Sequence, residues 1–327
     1  MGILGEERIS QTVVHLKEGE IVSFASKLPG KAIIDLLQVN FLKDINVHFD
    51  AVNNALPIGG IYFGRVETYA ERKQRLFDKF PALLVHVFWF FDFWIHRVMP
   101  KLAFTRKLYK FISRDNYKSL SKAEVLGRLC YTGFDIVDYA TIDNLFYFAV
   151  QKAKPAKYDA AKLYGVLLRM NRIGQHKKRI IIYKIRTMHP YSEYLQHYVV
   201  KMHGYNEKGK PNNDFRLTSW GKVIRKFHLD ELPQLYNLLR GDLAIIGVRP
   251  LTEFGFNALP KDLRRKRTKV KPGCIPPNVA LKLTGFEGVV EAERTYLKSI
   301  AKHRFLTNFK YFWMAIYNLI RRKSSSA

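Results

Sequence analysis

"FHLDELPQLYNLLRGDLAIIGVRP", residues 227–250, places two adjacent carboxylates, Asp230 and Glu231, just ahead of Pro233 in an otherwise basic chain. Proline is tolerated in the first turn of a helix and penalised inside one. The stretch therefore predicts a new helix that begins around Leu229 to Leu232 and runs to Leu239. Asp230 and Glu231 then sit at a helix N-terminus, where unpaired N–H groups and the macrodipole favour negative charge. Both are expected to be ionised at neutral pH. An ionised carboxylate in that position is a nucleophile, a metal ligand or a plain helix cap. Downstream, Gly241 stops the helix, a buried strand spans Leu243 to Ile246, and Gly247 closes it. Arg249 precedes Pro250, which biases it towards extended backbone and aims its guanidinium off the strand end. A planar fork there suits a phosphate or pyrophosphate; an ordinary ion pair with Asp242 is the other reading.

Working outward, "NRIGQHKKRIIIYKIRTM" makes a turn at Gly174, and a β-run from Ile180 to Tyr183 then delivers Lys184, Arg186 and Thr187 at its end. By itself this is a basic hairpin with solvated charges. "NNDFRLTSWGKVIRKF" spaces Asp214, Arg216 and Thr218 on alternate residues, which share one face if the segment is extended. Further upstream, "KAIIDLLQVN" and "GGIYFGRVET" read as strands, with Pro57, Gly59 and Gly60 marking a turn before the second. "LSKAEVLGRLCYTGFDIVDYATIDNLFYFAVQK" reads as a helix opened by a capping box from Ser121 to Glu124, stopped at Gly133 and followed by two short strands.

The bulk numbers set the partners. Fifty-five Lys and Arg against 28 Asp and Glu leave a formal charge of +27. Such a surface seeks nucleic acid, anionic lipid or phosphorylated substrates. Aromatic residues interleaved with the basic ones suit a membrane interface, and no helix-turn-helix, RNP-like or zinc pattern supports a nucleic acid. Cys130 and Cys274 are far apart without metal spacing and read as free thiols. "MGILGEERISQ" has no basic n-region followed by an apolar core, so no signal peptide is expected. "ALLVHVFWFFDFWIHRVMP", residues 82–100, is too short and too interrupted to span a bilayer, but is long enough to lie in its surface.

The expected fold is α/β (α+β). Residues 1–150 form a degenerate α/β module carrying the apolar interfacial segment 82–100, 151–170 are a linker, and 171–327 are a compact catalytic domain with short strands and interfacial helices. The first module weakly resembles the C-terminal part of a methyltransferase-like domain through "LPIGGIYFG". No glycine-rich strand-turn-helix precedes that stretch, so the module is expected to have no catalysis of its own.

The run "YKIRTM", then "DFRLTSWGKVIRKFHLDELPQLYNLLRGDLAIIGVRP" and then "KVKPG", in that order over residues 171–275, resembles the bacterial sugar transferase family. These are the monotopic phosphoglycosyl transferases that start polysaccharide and glycoconjugate assembly. The resemblance implies transfer of a sugar-1-phosphate from a nucleoside diphosphate sugar, with a UDP-sugar expected, to polyprenyl (undecaprenyl) phosphate. It implies the cytoplasmic face of the bacterial inner membrane, an anionic surface, and release of a nucleoside monophosphate. Asp230 matches the nucleophile that forms a covalent phosphosugar intermediate and Glu231 its partner, with Mg²⁺ held at the pair. Lys184, Arg186 and Arg249 are then the cations that neutralise the transferring phosphoryl group, and Asp214 and Arg216 support the nucleotide or the dyad. Two departures stand out. The family's long re-entrant helix is replaced by "FAVQKAKPAKYDAAKLYGVLLRM", leaving residues 82–100 and "HRFLTNFKYFWMAIYNLIRRK" as membrane candidates. The usual Pro-Gly-Ile-Thr-Gly appears as "KPGCIPPNVAL". A non-catalytic membrane-surface scaffold or regulator in a polysaccharide pathway is the alternative.

Overall fold

Alternation in "AIIDLLQ" turns Ile33 and Asp35 inward and leaves Ala32 and Ile34 half-buried, which is the pattern of a strand with one covered face. The computed structural model describes residues 32–102, 105–113, 118–156, 165–204 and 211–321. The expectation for "MGILGEERISQ", residues 157–164 of the expected linker and residues 322–327 lie outside the described residues. The chain is α/β, and it divides into two compact units that do not follow chain order. One comprises Met1–Gly165 with Met188–His203 and Asp214–Arg216; the other comprises Val166–Thr187, Gly204–Asn213 and Leu217–Ala327.

The first unit contains β1 (Ala32–Gln38), α1 (Ile45–Ala55), β2 (Ile61–Val66), α2 (Tyr69–Lys79), α3 (Ala82–Phe93), α4 (Arg106–Ser113), α5 (Lys122–Tyr131), β3 (Phe134–Ile142), β4 (Leu145–Lys152) and α6 (Gln196–His203). The strands form one sheet in the order β1-β2-β4-β3. β1 and β2 are parallel and the other pairs antiparallel. Phe49 and Val52 of α1, Leu126 and Leu129 of α5, and Tyr62, Phe146 and Phe148 of the sheet share one core. Leu195 and Val199, which come after β4 by more than forty residues of chain, complete it.

Only part of the expected capping box at α5 forms. The Ser121 hydroxyl accepts from the Glu124 amide, but the Glu124 carboxylate is turned into the interior. There it meets Arg97 Nη1 at 2.7 Å, Lys101 Nζ at 2.7 Å and Arg128 Nη2 at 3.1 Å. Burial opposes the Glu124 charge, yet three cations outweigh it and hold its carboxyl well below the usual range. Arg97 also donates to the Ser119 carbonyl and to Nδ1 of buried His189. Next to His189, Tyr191 takes a left-handed φ of 61° and receives a hydrogen bond from Asn46 at 2.7 Å. Its carbonyl lies so close to Gly127 that an added Cβ would meet it at 2.5 Å, which explains a glycine in mid-helix.

The apolar segment 82–100 is helical, α3 continuing into a wider turn over Trp94–Val98. Val85 is buried, whereas Leu84, Val87, Phe88, Phe90, Phe91 and Trp94 are exposed. Asp92 anchors this helix to α2 by a two-point pair with Arg72 at 2.6 and 2.7 Å. Among the described residues no helix is long and apolar enough to cross a membrane.

The second unit begins with a hairpin of β5 (Leu167–Ile173) and β6 (Arg179–Ile185), followed by α7 (Ser219–Lys226), α8 (Gln234–Leu239), β7 (Ala244–Ile246), α9 (Glu253–Asn257), α10 (Lys261–Arg267), β8 (Gly273–Ile275), α11 (Pro277–Ala280), α12 (Gly285–Lys302) and α13 (Arg304–Arg321). β7 and β8 run parallel as a second small pair. Gly247 and Gly273 let them approach; a Cβ on Gly247 would lie 2.6 Å from the Lys271 carbonyl, and one on Gly273 would collide with the Gly247 amide. Ile246, Val248, Leu263, Tyr296, Tyr311 and Ala315 form the unit's main core. The expected aromatic C-terminal helix is α13, with Tyr311 and Ala315 inward and Phe305, Phe309, Trp313 and Tyr317 exposed.

Burial first, and then the Arg97 charge, pushes the His189 imidazole down to about 3. The unfolded chain thus binds a proton at His189 below its ordinary value of about 6.5, where the folded protein does not. Stability of the first unit is complete above pH 6.5 and falls as pH drops towards 3, by up to about 1.4 kcal/mol per pH unit. Urea unfolding at pH 7 and pH 5 measures this loss. His189→Asn, which keeps an acceptor for Arg97, is expected to flatten it.

Candidate active site

Strand β6 supplies the frame on which the acidic pair is mounted. Its alternation buries Ile180 and Ile182, which pack with Leu243 in a separate small cluster joined by Met170 and Cys274. Just beyond the strand, the Thr187 carbonyl accepts from both the amide and the hydroxyl of Thr218, at 3.0 and 2.9 Å. Thr218 in turn caps α7 by accepting from the Gly221 amide at 2.9 Å. A Cβ on Gly221 would collide with the Thr187 carbonyl. Arg225, one turn on, donates from Nε to the Thr187 hydroxyl at 2.8 Å.

α7 ends at Phe227, and His228 reverses the chain through a left-handed φ of 56°. The predicted single helix from Leu229–Leu232 is corrected here. Leu229–Glu231 form one 3₁₀ turn, Pro233 precedes the next helix, and α8 holds only Gln234–Leu239. Proline's missing N–H and fixed φ suit that cap position. The acidic pair therefore stands ahead of a six-residue helix, and the cation of a strand supplies its counter-charge. Lys184 Nζ lies 2.5 Å from Glu231 Oε1. Asp230 is half-buried, and its carboxylate makes no hydrogen bond or ion pair among the described residues.

Asn237 ties α8 to β6. Its side chain is fully buried, donates to the Ile181 carbonyl at 2.6 Å and accepts from the Tyr183 amide at 3.1 Å. Its own carbonyl takes the amides of Asp242 and Leu243. Tyr183 and Tyr236 meet edge to face with centroids 5.6 Å apart. From the β7–β8 side, Cys274 sits close enough to feel Glu231; burial, and then the Glu231 charge, raises its thiol.

The other expected site residues fall as follows. Arg186 is half-buried and donates its amide to the Val166 carbonyl. Asp214 and Arg216 belong to the first unit and bind each other, with Nε–Oδ1 and Nη2–Oδ2 distances of 2.7 Å. Arg216 also donates to Gln196 at 2.6 Å. They lie in a turn rather than on an extended face, because the Asp214 carboxylate also accepts from the Arg216 amide. Arg249 is exposed, and Asp242 pairs with Arg240 and Asn237 instead of with it. Burial, and then Arg249, lowers the Arg172 guanidinium, so these two cations are neighbours. Sequence reasoning missed Asn237, Gly221 and Arg172, and named Thr187 only as the end of the β-run. Gly221 alone leaves a local signal, since glycine inside a helix costs about 1 kcal/mol against alanine.

Among the described residues no group of three or more His, Cys, Asp or Glu could hold a metal. Two adjacent carboxylates nevertheless fit Mg²⁺, a hard cation usually held by one or two carboxylates with the remaining positions left to water and substrate phosphates.

The bacterial sugar transferase family model matches residues 145–322, more than half of the chain. The chain belongs to that family. A UDP-N-acetylgalactosamine-undecaprenyl-phosphate N-acetylgalactosaminephosphotransferase of Aeromonas hydrophila is 41% identical over 85 residues, covering 26% of this chain and 18% of the relative. The uncharacterized sugar transferase EpsL of Bacillus subtilis is 36% identical over 112 residues, 33% of this chain and 47% of its own. A UDP-glucose:undecaprenyl-phosphate glucose-1-phosphate transferase of Xanthomonas campestris is 30% identical over 137 residues, 41% and 26%. The chain thus spans less than half the length of each of these relatives. A methyltransferase of T. thermophilus 16S rRNA superimposes with a TM-score of 0.17 at 10% identity over 54% of this chain and 34% of that one. That overlap is too poor to support a shared fold.

Removing the Asn237 carboxamide deprives the Tyr183 amide and the Ile181 carbonyl of β6 of this partner. Asn237→Ala is expected to cost about 2–3 kcal/mol, read as a lower urea midpoint for the second unit, while the exposed Leu239→Ala changes it little.

Proposed function

We propose that the chain is a phosphoglycosyl transferase that moves a sugar-1-phosphate from a nucleoside diphosphate sugar, a UDP-sugar, to polyprenyl phosphate. An Asp230 oxygen attacks the sugar-bearing phosphorus, and the bond to the nucleoside monophosphate breaks with its electron pair. A phosphate oxygen of the polyprenyl acceptor then attacks the same phosphorus, and the bond to Asp230 breaks. Splitting one displacement into two in this way gives ping-pong kinetics. Glu231 stands beside the nucleophile with its charge matched by Lys184. Arg249 and Arg186 are the further cations placed to offset charge on the transferring group. Asp214 and Arg216 are locked to each other within the first unit. Asp230 and Glu231 would hold Mg²⁺, which when bound neutralises phosphate charge as a Lewis acid.

The observation that carries the reading is the Asp230 carboxylate, which has no hydrogen-bond or ion-pair partner among the described residues, next to the Lys184–Glu231 pair. The flanks of this turn support a lipid acceptor. Trp220, Val223 and Phe227 ahead of it and Leu232, Leu235 and Leu239 after it are all exposed, Leu239 by 86%. Apolar residues laid open among Lys222, Lys226 and Arg240 suit an anionic bilayer surface. Within the first unit, the exposed apolar face of α3 by itself also suits a bilayer. We place the protein on the cytoplasmic face of the bacterial inner membrane, attached as a monotopic or peripheral protein. Its expected role is to start polysaccharide or glycoconjugate assembly.

The test is UMP release from a panel of UDP-sugars, with and without undecaprenyl phosphate. Wild type is expected to release UMP in a lipid-dependent way, and Asp230→Asn to lose at least about 1000-fold in rate. Arg249→Ala is expected to lose about 10- to 100-fold. Silence across the panel from a folded, liposome-bound protein would favour a membrane-surface scaffold instead.

A further inference from the structure

Arg249 is exposed, but both polar groups of its backbone are held from beneath. Its amide donates to Glu293 Oε1 at 3.0 Å, and its carbonyl accepts from Arg267 Nη2. Glu293 lies on α12 and Arg267 at the end of α10, so two helices meet at this one residue. The two side chains also pair with each other, Nε to Oε2 at 3.4 Å, and are 4% and 1% exposed. Burial raises the Glu293 carboxyl, opposed by Arg267 and by the Arg249 amide. The neighbouring backbone is tied as well. The Val248 carbonyl accepts from the Gly273 amide at 3.0 Å, and the Leu251 carbonyl from the Ile173 amide at 2.9 Å.

A buried ion pair is a poor source of net stability, because desolvating both charges offsets most of their attraction; apolar residues of the same size serve as well or better. This pair does something that apolar residues cannot do. One acceptor and one donor of the pair are used on the N–H and the C=O of a single residue, and the side chain of that residue is the exposed guanidinium next to Arg172. Like charges set side by side drift apart unless the backbone beneath them is fixed.

We infer that Arg267 and Glu293 are positioning residues, which hold the Arg249 guanidinium beside Arg172 so that the two can grip a phosphate group of the donor. The inference rests on the transferase reading for its catalytic consequence and on the hydrogen bonds alone for its mechanical one. Glu293→Gln presents an amide N–H₂ to Arg267 or loses the acceptor for Arg249, and so cannot serve both.

Two readouts separate the inference from the transferase reading. The first is amide hydrogen exchange of peptides covering residues 247–251. Glu293→Gln is expected to speed exchange there at least tenfold while peptides of β6 and α8 keep wild-type rates. Unchanged exchange at 247–251, or equal loosening throughout the second unit, would overturn the inference whether or not the protein turns over. The second is a double-mutant cycle on UMP release. Glu293→Gln is expected to raise KM for the UDP-sugar about tenfold in the wild-type background and to add less than twofold in Arg249→Ala. A purely structural role would instead multiply the two losses, and that result sinks the proposal. A wild type that releases no UMP defeats the transferase reading while leaving the exchange experiment to decide on the clamp.

Discussion

The carboxamide of Asn237 bonds to the backbone of β6 on both of its faces, and the placement of the acidic turn follows from that joint. A side-chain amide buried without partners would be costly, so the helix that carries it has one allowed height and one allowed rotation on the strand. Once α8 is fixed from one end, and α7 from the other by the Thr187 carbonyl against Gly221, few residues remain to connect them. They close the gap with a left-handed histidine and a single 3₁₀ turn. The carboxylates are presented by a strained, short connection suspended between two rigid anchorages, and Lys184 reaches them because it leaves the same strand.

Much of this arrangement was legible from residue order. The punctuation by Gly174, Gly241 and Gly247, the β-run over Ile180 to Tyr183, and the interruption before Pro233 all follow from backbone rules that need no tertiary context. The N-terminal strands and the Gly133 stop were readable for the same reason. The exposed face of α3 was foreshadowed by its composition. Misreadings arose where a side chain had a choice of partner. Glu124 could return to Ser121 or turn inward, and three cations decided the matter. Asp214 and Arg216 read as an extended face, but a short aspartate side chain closes on a nearby amide and curls the chain. Asn237 gave no warning at all: nothing in "QLYNLL" separates a solvated asparagine from a keystone.

The two units use buried charge in different ways. In the first, one carboxylate gathers three cations and, through Arg97, an imidazole, tying α5 to the segment around His189. In the second, one carboxylate and one guanidinium share their bonds with a single backbone residue. The first is a hub that joins distant parts of the sequence. The second is a bracket for one exposed side chain. Both put an acid inside a strongly basic protein.

The path of the chain through these units has a consequence during synthesis. Tyr191, Leu195 and Val199 fill places in the first unit's interior, yet they are made after the whole β5–β6 hairpin. The ribosome therefore delivers the four-stranded sheet and its helices with a hole in them, and the missing plug arrives only when the second unit has already begun. The first unit is complete only after the second has begun. A chain cut between β4 and α6 would separate the first unit's sheet from Leu195 and Val199 of its own core.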